Sequence, residues 1–456
     1  MMKNHHYRWM RGILFAGAIA LLLSCGGGGS GGSSAGSLGG IAGSGAAGSG
    51  SDSPAGTGTG STGTDGTGGP SGTGTAGGGT DGTSTAGNGS DDGSGVGSGG
   101  TGVSTADATG IGSVGGLGSI ILNGVRYNTD AATTSLEDTT ELQIGMSVRI
   151  AGKIDSEFTA ATAQRVDSAA ELRGAVSVID LSKDSFVVMG TTVTIDNATV
   201  WSGANSLAQV VAGSVVQVWG LPSAPGTLRA TRVELKPISA EPLVTGMVQN
   251  LVLGQQFTLG QLTVQYSSAT FSDGIDASTM AEGAIVRVRG NFEPATGVFN
   301  ATKVQGWYAV PKQNAAAVQL AGVITNYTGI GDFQVLGTKI DASKTNFPSA
   351  LVDSIGPGVK VEVDGFMSSG VLVAKKLRIK GGPVDFTLIG AISAYQSPSD
   401  FRVQGRPVNA GGPATVFENG TVDDLASLAP NRRISVVGDA VIDDVLIAKR
   451  VTFLPP

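Results

Sequence analysis

The side chains that most often perform catalysis are scarce in this 456-residue chain. Its only histidines are His5 and His6, and its only cysteine is Cys25. All three lie in an N-terminal segment that we interpret below as a cleaved leader and its lipid anchor. Without an imidazole or a free thiol, Ser-His-Asp triads, Cys-His pairs and histidine-ligated zinc are excluded. We therefore expect no cofactor, no metal site and no enzymatic activity.

Carboxylate chemistry stays open, because glycoside hydrolysis needs only two acids that face each other across the scissile bond. Two pairs of adjacent acids could be considered, Asp423-Asp424 and Asp443-Asp444. Neighbouring residues on a strand point to opposite faces, and both pairs stand where turns are expected. A hydrolase that uses carboxylates only is therefore the last of three functional hypotheses.

A positively charged position recurs five times, and it could bind an acidic polymer such as a polysaccharide. Its members are Arg165, Arg232, Lys303, Lys376 and Arg450. The alternative is a water-facing strand residue whose long stem covers apolar neighbours and whose charge discourages edge pairing. We favour this alternative, and we keep Arg232 and Lys303 as speculative ligand contacts.

Trp219 is the third speculative ligand contact. It occupies a repeat position that the other copies fill with very different side chains, namely Ala151, Arg289, Asp364 and Val437. Such variety predicts that the position is exposed, and an exposed indole could stack on a sugar.

Most of the candidate residues belong to a sequence repeat that occurs five times after residue 110. Each copy closes with Ala-x-(Lys/Arg)-(Val/Leu), at residues 163–166, 230–233, 301–304, 374–377 and 448–451. The period is about 70 residues, so each unit must be one small fold used again.

The strongest pattern within each unit is an alternating apolar segment that ends in glycine. It covers residues 148–152, 216–220, 286–290, 361–365 and 434–438. A period of two predicts a half-buried strand. Its polar positions, expected to face water, are Arg149, Gln217, Arg287, Glu362 and Ser435.

Another glycine precedes this strand, at Gly145, Gly213, Gly283 and Gly358, with Asn431 in the fifth copy. Asparagine tolerates positive φ better than most residues, so this exchange predicts a left-handed backbone in a tight turn.

A second segment predicts a hairpin, because it alternates and ends in glycine. It covers residues 186–190, 257–260, 333–337 and 401–405, which open with phenylalanine, and residues 120–124 in the first copy. A further aromatic position holds Trp201, Phe271, Phe347 and Phe417. We assign it to the core rather than to a sugar-stacking platform.

These patterns predict an all-β chain of about five small antiparallel barrels of oligonucleotide/oligosaccharide-binding (OB) type, strung like beads. Closure removes exposed sheet edges, which a small domain without disulfides needs. The expected domains are residues 111–171, 172–236, 243–307, 319–380 and 386–456. Connectors are expected at 237–242, 307–318 and 381–385, whereas the first two repeats lack a spacer at Glu171 and are expected to pack together.

Two segments of the first copy resemble a known family. They are Leu117-Gly-Ser-Ile-Ile-Leu-Asn-Gly-Val-Arg-Tyr127 and Gly145-Met-Ser-Val-Arg-Ile-Ala-Gly152. Both are similar to the bacterial domain-of-unknown-function family 5666, which occurs in tandem on secreted proteins and lipoproteins. The resemblance covers residues from about 111 to the end, and it implies no activity and no catalytic residues.

The N-terminus has the features of a secretory signal, residues 1–24. Lys3, Arg8 and Arg11 precede an apolar run that is too short to span a bilayer. The segment Leu22-Leu-Ser-Cys25 resembles a bacterial lipobox, which implies that Cys25 is lipidated and becomes the mature N-terminus. Gly26 stands where inner-membrane lipoproteins usually carry Asp, which favours the outer membrane.

Residues 25–110 are predicted to form a disordered, lipid-anchored linker. After Cys25 they are mostly Gly, Ser, Thr and Ala, with no aromatic residue. Such a segment buries too little apolar surface to offset the entropy of ordering it. Its root-mean-square span is on the order of 50 Å.

Together these features predict a non-catalytic cell-envelope lipoprotein whose repeats act as a scaffold, spacer or adhesion module. The alternative is a module that binds an oligosaccharide or another envelope polymer. Expected partners are the membrane, through the lipid, and an envelope polysaccharide or protein. The net charge of −7 argues against nucleic acid, which needs clustered positive charge.

Overall fold

The structure is a computed structural model that describes residues 105–237, 240–381, 384–426 and 432–455. The leader, Cys25, the linker up to residue 104 and Asn431 lie outside these residues. Within them the chain forms 29 strands and three short 3-10 helices, Leu207–Gln209, Ser349–Ser354 and Val422–Leu425. The predicted all-β class is confirmed. No helix in this part of the chain is long and apolar enough to cross a membrane.

The strands fall into five sets that follow the repeats. The first repeat holds β1 (Thr105–Leu117), β2 (Ile120–Leu122), β3 (Val125–Asn128), β4 (Thr133–Leu136), β5 (Ser147–Asp155) and β6 (Ala160–Ser168). The second holds β7 (Leu172–Asp180), β8 (Ser185–Val188), β9 (Thr191–Thr194), β10 (Val200–Ser202), β11 (Val215–Pro222) and β12 (Thr227–Lys236). The third holds β13 (Leu243–Val252), β14 (Gln256–Leu259), β15 (Leu262–Gln265), β16 (Thr270–Ser272), β17 (Ile285–Glu293) and β18 (Val298–Gly306).

The last two repeats follow the same order, but the fourth has no counterpart of the short fourth strand, so its last two strands correspond to the fifth and sixth strands of the other repeats. The fourth holds β19 (Ala317–Gly329), β20 (Asp332–Val335), β21 (Thr338–Asp341), β22 (Lys360–Ser368) and β23 (Val371–Ile379). The fifth holds β24 (Phe386–Ser397), β25 (Asp400–Val403), β26 (Arg406–Asn409), β27 (Val416–Glu418), β28 (Arg433–Ile442) and β29 (Val445–Phe453).

Each repeat closes its strands into a ring through the same pairings. In the first repeat, β1 pairs with β2 and β5, β2 with β3, and β5 with β6, all antiparallel. β3 and β6 close the ring and run parallel. The other four repeats form equivalent rings. The expectation of purely antiparallel sheets is wrong at this seam, because a crossover connection brings the sixth strand alongside the third.

The predicted turns and hairpins are confirmed. The φ angles of Gly145, Gly213, Gly283 and Gly358 are 86°, 88°, 79° and 85°, all in the left-handed region. The five hairpins pair β2 with β3, β8 with β9, β14 with β15, β20 with β21, and β25 with β26. The phenylalanines that open four of them are buried. Trp201 is buried, and Phe271, Phe347 and Phe417 pack against the hydrophobic cores. This agrees with their assignment to the core rather than to a sugar-stacking surface.

A β-bulge explains the Ala-x-(Lys/Arg) closing motif. In all five repeats the register shifts at the closing glycine, as between Asp364 and Gly365. Gly365 pairs with Ala374 and Asp364 with Lys376, which leaves Lys375 as the extra residue. A Cβ on the closing glycine would lie 2.0 to 2.4 Å from a carbonyl oxygen of the sixth strand. The motif therefore marks the strand that forms the bulge, and the bulge in turn requires a glycine on the opposite strand.

The repeats stack on one another, in a solenoid-like manner, and the expectation of separate beads is wrong. The first strand β1 runs parallel to β19 of the fourth repeat and to β24 of the fifth. Likewise β7 pairs with β13, and β10 with β28. One hydrophobic cluster joins the second and third repeats through residues such as Leu172, Val218, Val244 and Val288. Parts of the outer faces of the rings are thus interfaces between repeats.

This stacking changes where polar side chains lie. On the fifth strand of each ring, the polar positions were expected to face water. Instead Gln217, Arg287 and Glu362 are only 1 %, 0 % and 5 % exposed. Arg149 and Ser435, at the same position in the first and fifth repeats, stay partly exposed. The period of two correctly identifies two strand faces, but in the second, third and fourth repeats another repeat packs against the outer face.

The structured region also starts earlier than expected. β1 begins at Thr105 rather than Ile111, and residues 105–113 pair with β5 while residues 108–111 also pair with β19. Hydrogen bonds on both edges order a segment whose composition alone indicates a linker.

We predict that Gly365→Ala destabilises the protein by about 1–3 kcal/mol, since the added Cβ would lie 2.2 Å from the Val373 carbonyl oxygen. Gly356→Ala is the matched control, because nothing lies within 4 Å of its added Cβ. The measurement is the urea midpoint of unfolding. Equal midpoints for the two variants would contradict the role of the bulge.

Candidate functional site

Trp219 is buried, not exposed as its variable repeat position predicted. Its exposed fraction is 0 %, and it packs with Met146 and Ala170 of the first repeat and with Leu243 of the third. Its indole nitrogen has no hydrogen-bond partner in the described part of the chain. The position tolerates different side chains because each copy meets a different neighbour. Trp219 therefore fills an interface and is withdrawn as a ligand contact.

Arg232 is also buried, with an exposed fraction of 1 %. Its Nε lies 2.6 Å from Glu234 Oε1, and its Nη2 lies 2.6 Å from Asp444 Oδ1 of the fifth repeat. Nη1 donates to the Ile144 carbonyl of the first repeat at 3.3 Å. Arg232 thus joins three repeats, which corrects both its assignment as a ligand contact and the expectation that it faces water.

The other members of this cation position differ from Arg232. Arg165 and Arg450 are exposed, whereas Lys303 and Lys376 are partly exposed. Lys303 remains the one speculative ligand contact that is accessible. The five cations do not form a uniform surface, because stacking places each repeat in a different environment.

The paired acids lie at turns, as expected. Asp443 and Asp444 form the turn between β28 and β29, and both have positive φ. Asp444 Oδ2 accepts from Ser202 Oγ at 2.9 Å, in the second repeat. Asp424 Oδ2 accepts from the Thr421 backbone N–H at 2.7 Å, as the cap of a short 3-10 helix. These contacts account for Asp444 and Asp424 without catalysis.

A cluster of five charged side chains between repeats was not predicted from the sequence. We name it the central junction, and it comprises Glu137, Asp138, Arg173, Arg287 and Arg289. The two acids follow β4 of the first repeat, and the arginines come from the second and third repeats. Three repeats therefore meet through opposite charges.

The contacts of the central junction are short and mostly buried. Arg289 Nη2 lies 2.8 Å from Asp138 Oδ2 and 3.0 Å from Glu137 Oε2. Arg287 also pairs with Glu137, and Arg173 with Asp138. The side chains of Asp138 and Arg287 are 5 % and 0 % exposed. Breaking a buried pair leaves an uncompensated charge, so these contacts fix the repeats relative to one another.

The acidity of Asp138 reflects these partners. Burial alone would raise the pKa of Asp138, but the hydrogen bond and charge of Arg289, together with Arg173, outweigh burial and hold the pKa below its ordinary value. Asp138 is therefore ionised at neutral pH. Burial lowers the pKa of Arg287 in spite of the nearby acids Glu137 and Glu171.

Glu171 forms a second buried node next to the central junction. Its Oε1 accepts from Ser147 Oγ at 3.1 Å, from Trp307 Nε1 at 3.1 Å and from the Tyr308 hydroxyl. Burial raises the pKa of Glu171, although the hydrogen bonds from Tyr308 and Trp307 and the charge of Arg287 oppose the shift. The Arg287 guanidinium carbon lies 4.3 Å from the centre of the Trp307 ring.

The contacts of Glu171 also show that the start of the expected connector 307–318 is not a spacer. Trp307 and Tyr308 were assigned to a spacer, yet both are buried against a residue at the boundary of the first two repeats. The first two repeats, which lack a spacer at Glu171, do contact each other, as between Asp138 and Arg173. The second and third repeats are joined as well, although a connector was expected between them. The partners of Glu137 and Asp138 gave no sequence signal, because they lie 35 to 152 residues away in the chain.

The junction gives no indication of a metal centre. Among the described residues, no three side chains of His, Cys, Asp or Glu gather in an arrangement that could hold a metal ion. What the arrangement does is neutralise charge between repeats.

We predict that Asp138→Asn lowers the free energy of unfolding by roughly 3–5 kcal/mol, because Arg173 and Arg289 lose a buried partner. Asp332→Asn is the matched control. Asp332 pairs with Lys339 at 3.4 Å, with both side chains about half exposed, so its loss should cost less than about 1 kcal/mol. The measurement is chemical denaturation of both variants. A loss at Asp138 no larger than at Asp332 would contradict the junction.

Comparison with known proteins agrees with the internal repeats. The family model described as "Domain of unknown function (DUF5666)" matches residues 109–167, 173–234, 245–305, 321–378 and 389–452. A comparison with curated proteins finds no match. The matched segments cover most of the chain after the linker and confirm the resemblance. The chain therefore belongs to the DUF5666 family, as five tandem repeats.

Proposed function

We propose that this protein is a non-catalytic scaffold or spacer of the cell envelope, carried on a lipid anchor. One observation supports the scaffold role above all: several of the charged and aromatic side chains that could recognise a ligand are instead buried between repeats. Trp219, Arg232 and Trp307 are buried in such contacts. A body joined in this way presents a fixed outer surface, which suits a structural or adhesive role.

We further infer that each repeat is a small OB-like barrel, fused to its neighbours rather than free. The ring of first, second, third, sixth and fifth strands supports this assignment. Fusion changes what the barrel can do. The faces that an isolated barrel would offer to a ligand are in part covered by other repeats.

The anchor is proposed from the sequence alone. The lipobox-like segment ending at Cys25 implies lipidation, and Gly26 favours the outer membrane. The Gly-rich linker would then hold the repeats at a distance from the bilayer. Its composition supports a tether rather than a folded stalk.

Binding of an oligosaccharide or envelope polymer is the second candidate function. It is favoured by Arg165, whose side chain is 58 % exposed, and by the accessible Lys303 and Arg450. These cations would bind acidic groups of a polymer at low salt. A carboxylate-only hydrolase ranks last, because Asp424 and Asp444 are engaged in a cap and in a contact between repeats.

We predict that Cys25→Ser abolishes labelling by radioactive palmitate and moves the protein from the membrane fraction to the soluble fraction. Ser30→Ala, in the linker, is the control and should behave as the parent. An unlabelled parent, or a Cys25→Ser protein that still sediments with membranes, would contradict the anchor.

Pull-down from an envelope extract separates the two candidate functions. Retention of a protein supports the scaffold, and retention of a polysaccharide supports the alternative. Activity of the purified protein in a broad hydrolase screen would overturn the non-catalytic assignment.

A further inference from the structure

A cavity of about 370 Å³ lies where the first, second, fourth and fifth repeats meet. Small-molecule sites typically have volumes of about 300–1,000 Å³ and often form between domains. Its wall contains apolar residues, such as Val114 and Phe386, and a group of charged ones. The cavity is therefore large enough for a sugar-sized molecule, and it exists only because the repeats are stacked.

The charges around this cavity are mostly paired. Arg229 Nε and Nη2 donate to Asp196 Oδ2 at 3.0 and 2.8 Å. Lys380 Nζ lies 3.0 Å from Glu362 Oε1, and Arg378 Nε lies 3.1 Å from Glu362 Oε2. Asp196 and Glu362 thus each hold a direct ion pair with another cation. Burial alone would raise the pKa of Asp196, but the nearby charge of Lys360, followed by that of Arg229, holds this pKa below its ordinary value.

Lys360 is the exception among the charged residues described around the cavity. It lies in the wall at the start of β22, partly exposed, and forms no ion pair with a described carboxylate. Removal from water lowers the pKa of Lys360, although the nearby charge of Asp196 opposes the shift. Asp385 also faces the cavity, but it is exposed to solvent. The charge of Asp196 thus acts on Lys360 without forming a direct ion pair. An ammonium that is withdrawn from water and lacks a direct ion pair is costly, and an anion in the cavity would supply that pair.

Thr231 supplies a second, independent indication. It contributes to the cavity wall, is 2 % exposed, and its hydroxyl has no hydrogen-bond partner among the described residues. Buried hydroxyls are almost always hydrogen-bonded, so an unpartnered one beside a cavity needs an explanation. Thr231 comes from the second repeat and Lys360 from the fourth.

We propose that this cavity binds a small organic anion, whose carboxylate or phosphate group pairs with Lys360. Its polar body would hydrogen-bond to the Thr231 hydroxyl once this group, which has almost no accessible surface in the unliganded protein, turns toward the cavity. The apolar wall would contact the rest of the molecule. Such a ligand would also strengthen the stacking, because it touches several repeats at once. This inference does not depend on the lipid anchor, so each can fail without the other.

Calorimetric titration of the full-length protein at pH 7 tests the proposal, with D-glucuronate, inorganic phosphate and uncharged D-glucose as probes. The expected result is saturable binding of glucuronate or phosphate but not of glucose. Glucuronate alone identifies a carboxylate site, and phosphate alone identifies a phosphate site. Binding of neither anion, or equal binding of glucose, would overturn the proposal.

Two variants locate the binding. Lys360→Met should weaken anion binding at least tenfold, whereas Lys312→Met, at an exposed position in the connector before β19, should leave it unchanged. Thr231→Val separates an effect on binding from an effect on stability. Replacing an unpartnered hydroxyl by a methyl group should not lower the thermal midpoint of unfolding. It should nevertheless weaken binding several-fold. Unaltered affinity in Lys360→Met would reject the site.

Discussion

The structure depends on charge that is buried between repeats. Two adjacent acids, Glu137 and Asp138, enter a region that three arginines would otherwise make strongly positive. Taking these groups out of water costs several kcal/mol for each ion, so the contacts are favourable only when every partner is in place. This requirement gives the arrangement its specificity: a repeat that packs in another orientation would leave charges unpaired.

The need to match each partner surface also explains why repeats of one fold carry different side chains at equivalent positions. Stacking is not limited to neighbours in the sequence, because β1 pairs with strands of both the fourth and the fifth repeats. Each copy therefore meets its own set of partners. The equivalent position holds Trp219 where the partner surface is apolar and Arg289 where it is acidic. The divergence between copies reflects their interfaces, and a purely solvent-facing role would not require it.

Much of the fold within one repeat could be predicted from the sequence, because its determinants are local. Turn glycines, hairpin glycines and alternating strands report on backbone conformation within a few residues. The Ala-x-(Lys/Arg) motif was recognised, but its cause, a bulge at the glycine of the opposite strand, becomes visible only when the register is known.

Relations between repeats could not be predicted in the same way. A period of two identifies the two faces of a strand, but it does not say whether the second face meets water or another protein surface. For this reason Arg287 and Arg232 were expected to be exposed, yet each is buried against acids from another repeat. The cavity beside Lys360 has the same origin, since its wall is assembled from four repeats.

Differential scanning calorimetry of the full-length protein tests most directly whether the five repeats form one cooperative body. If buried contacts couple all of them, heating should give a single endotherm whose calorimetric and van 't Hoff enthalpies agree. Several separate transitions would contradict the account. So would a single transition whose van 't Hoff enthalpy is only as large as one repeat's share of the calorimetric enthalpy.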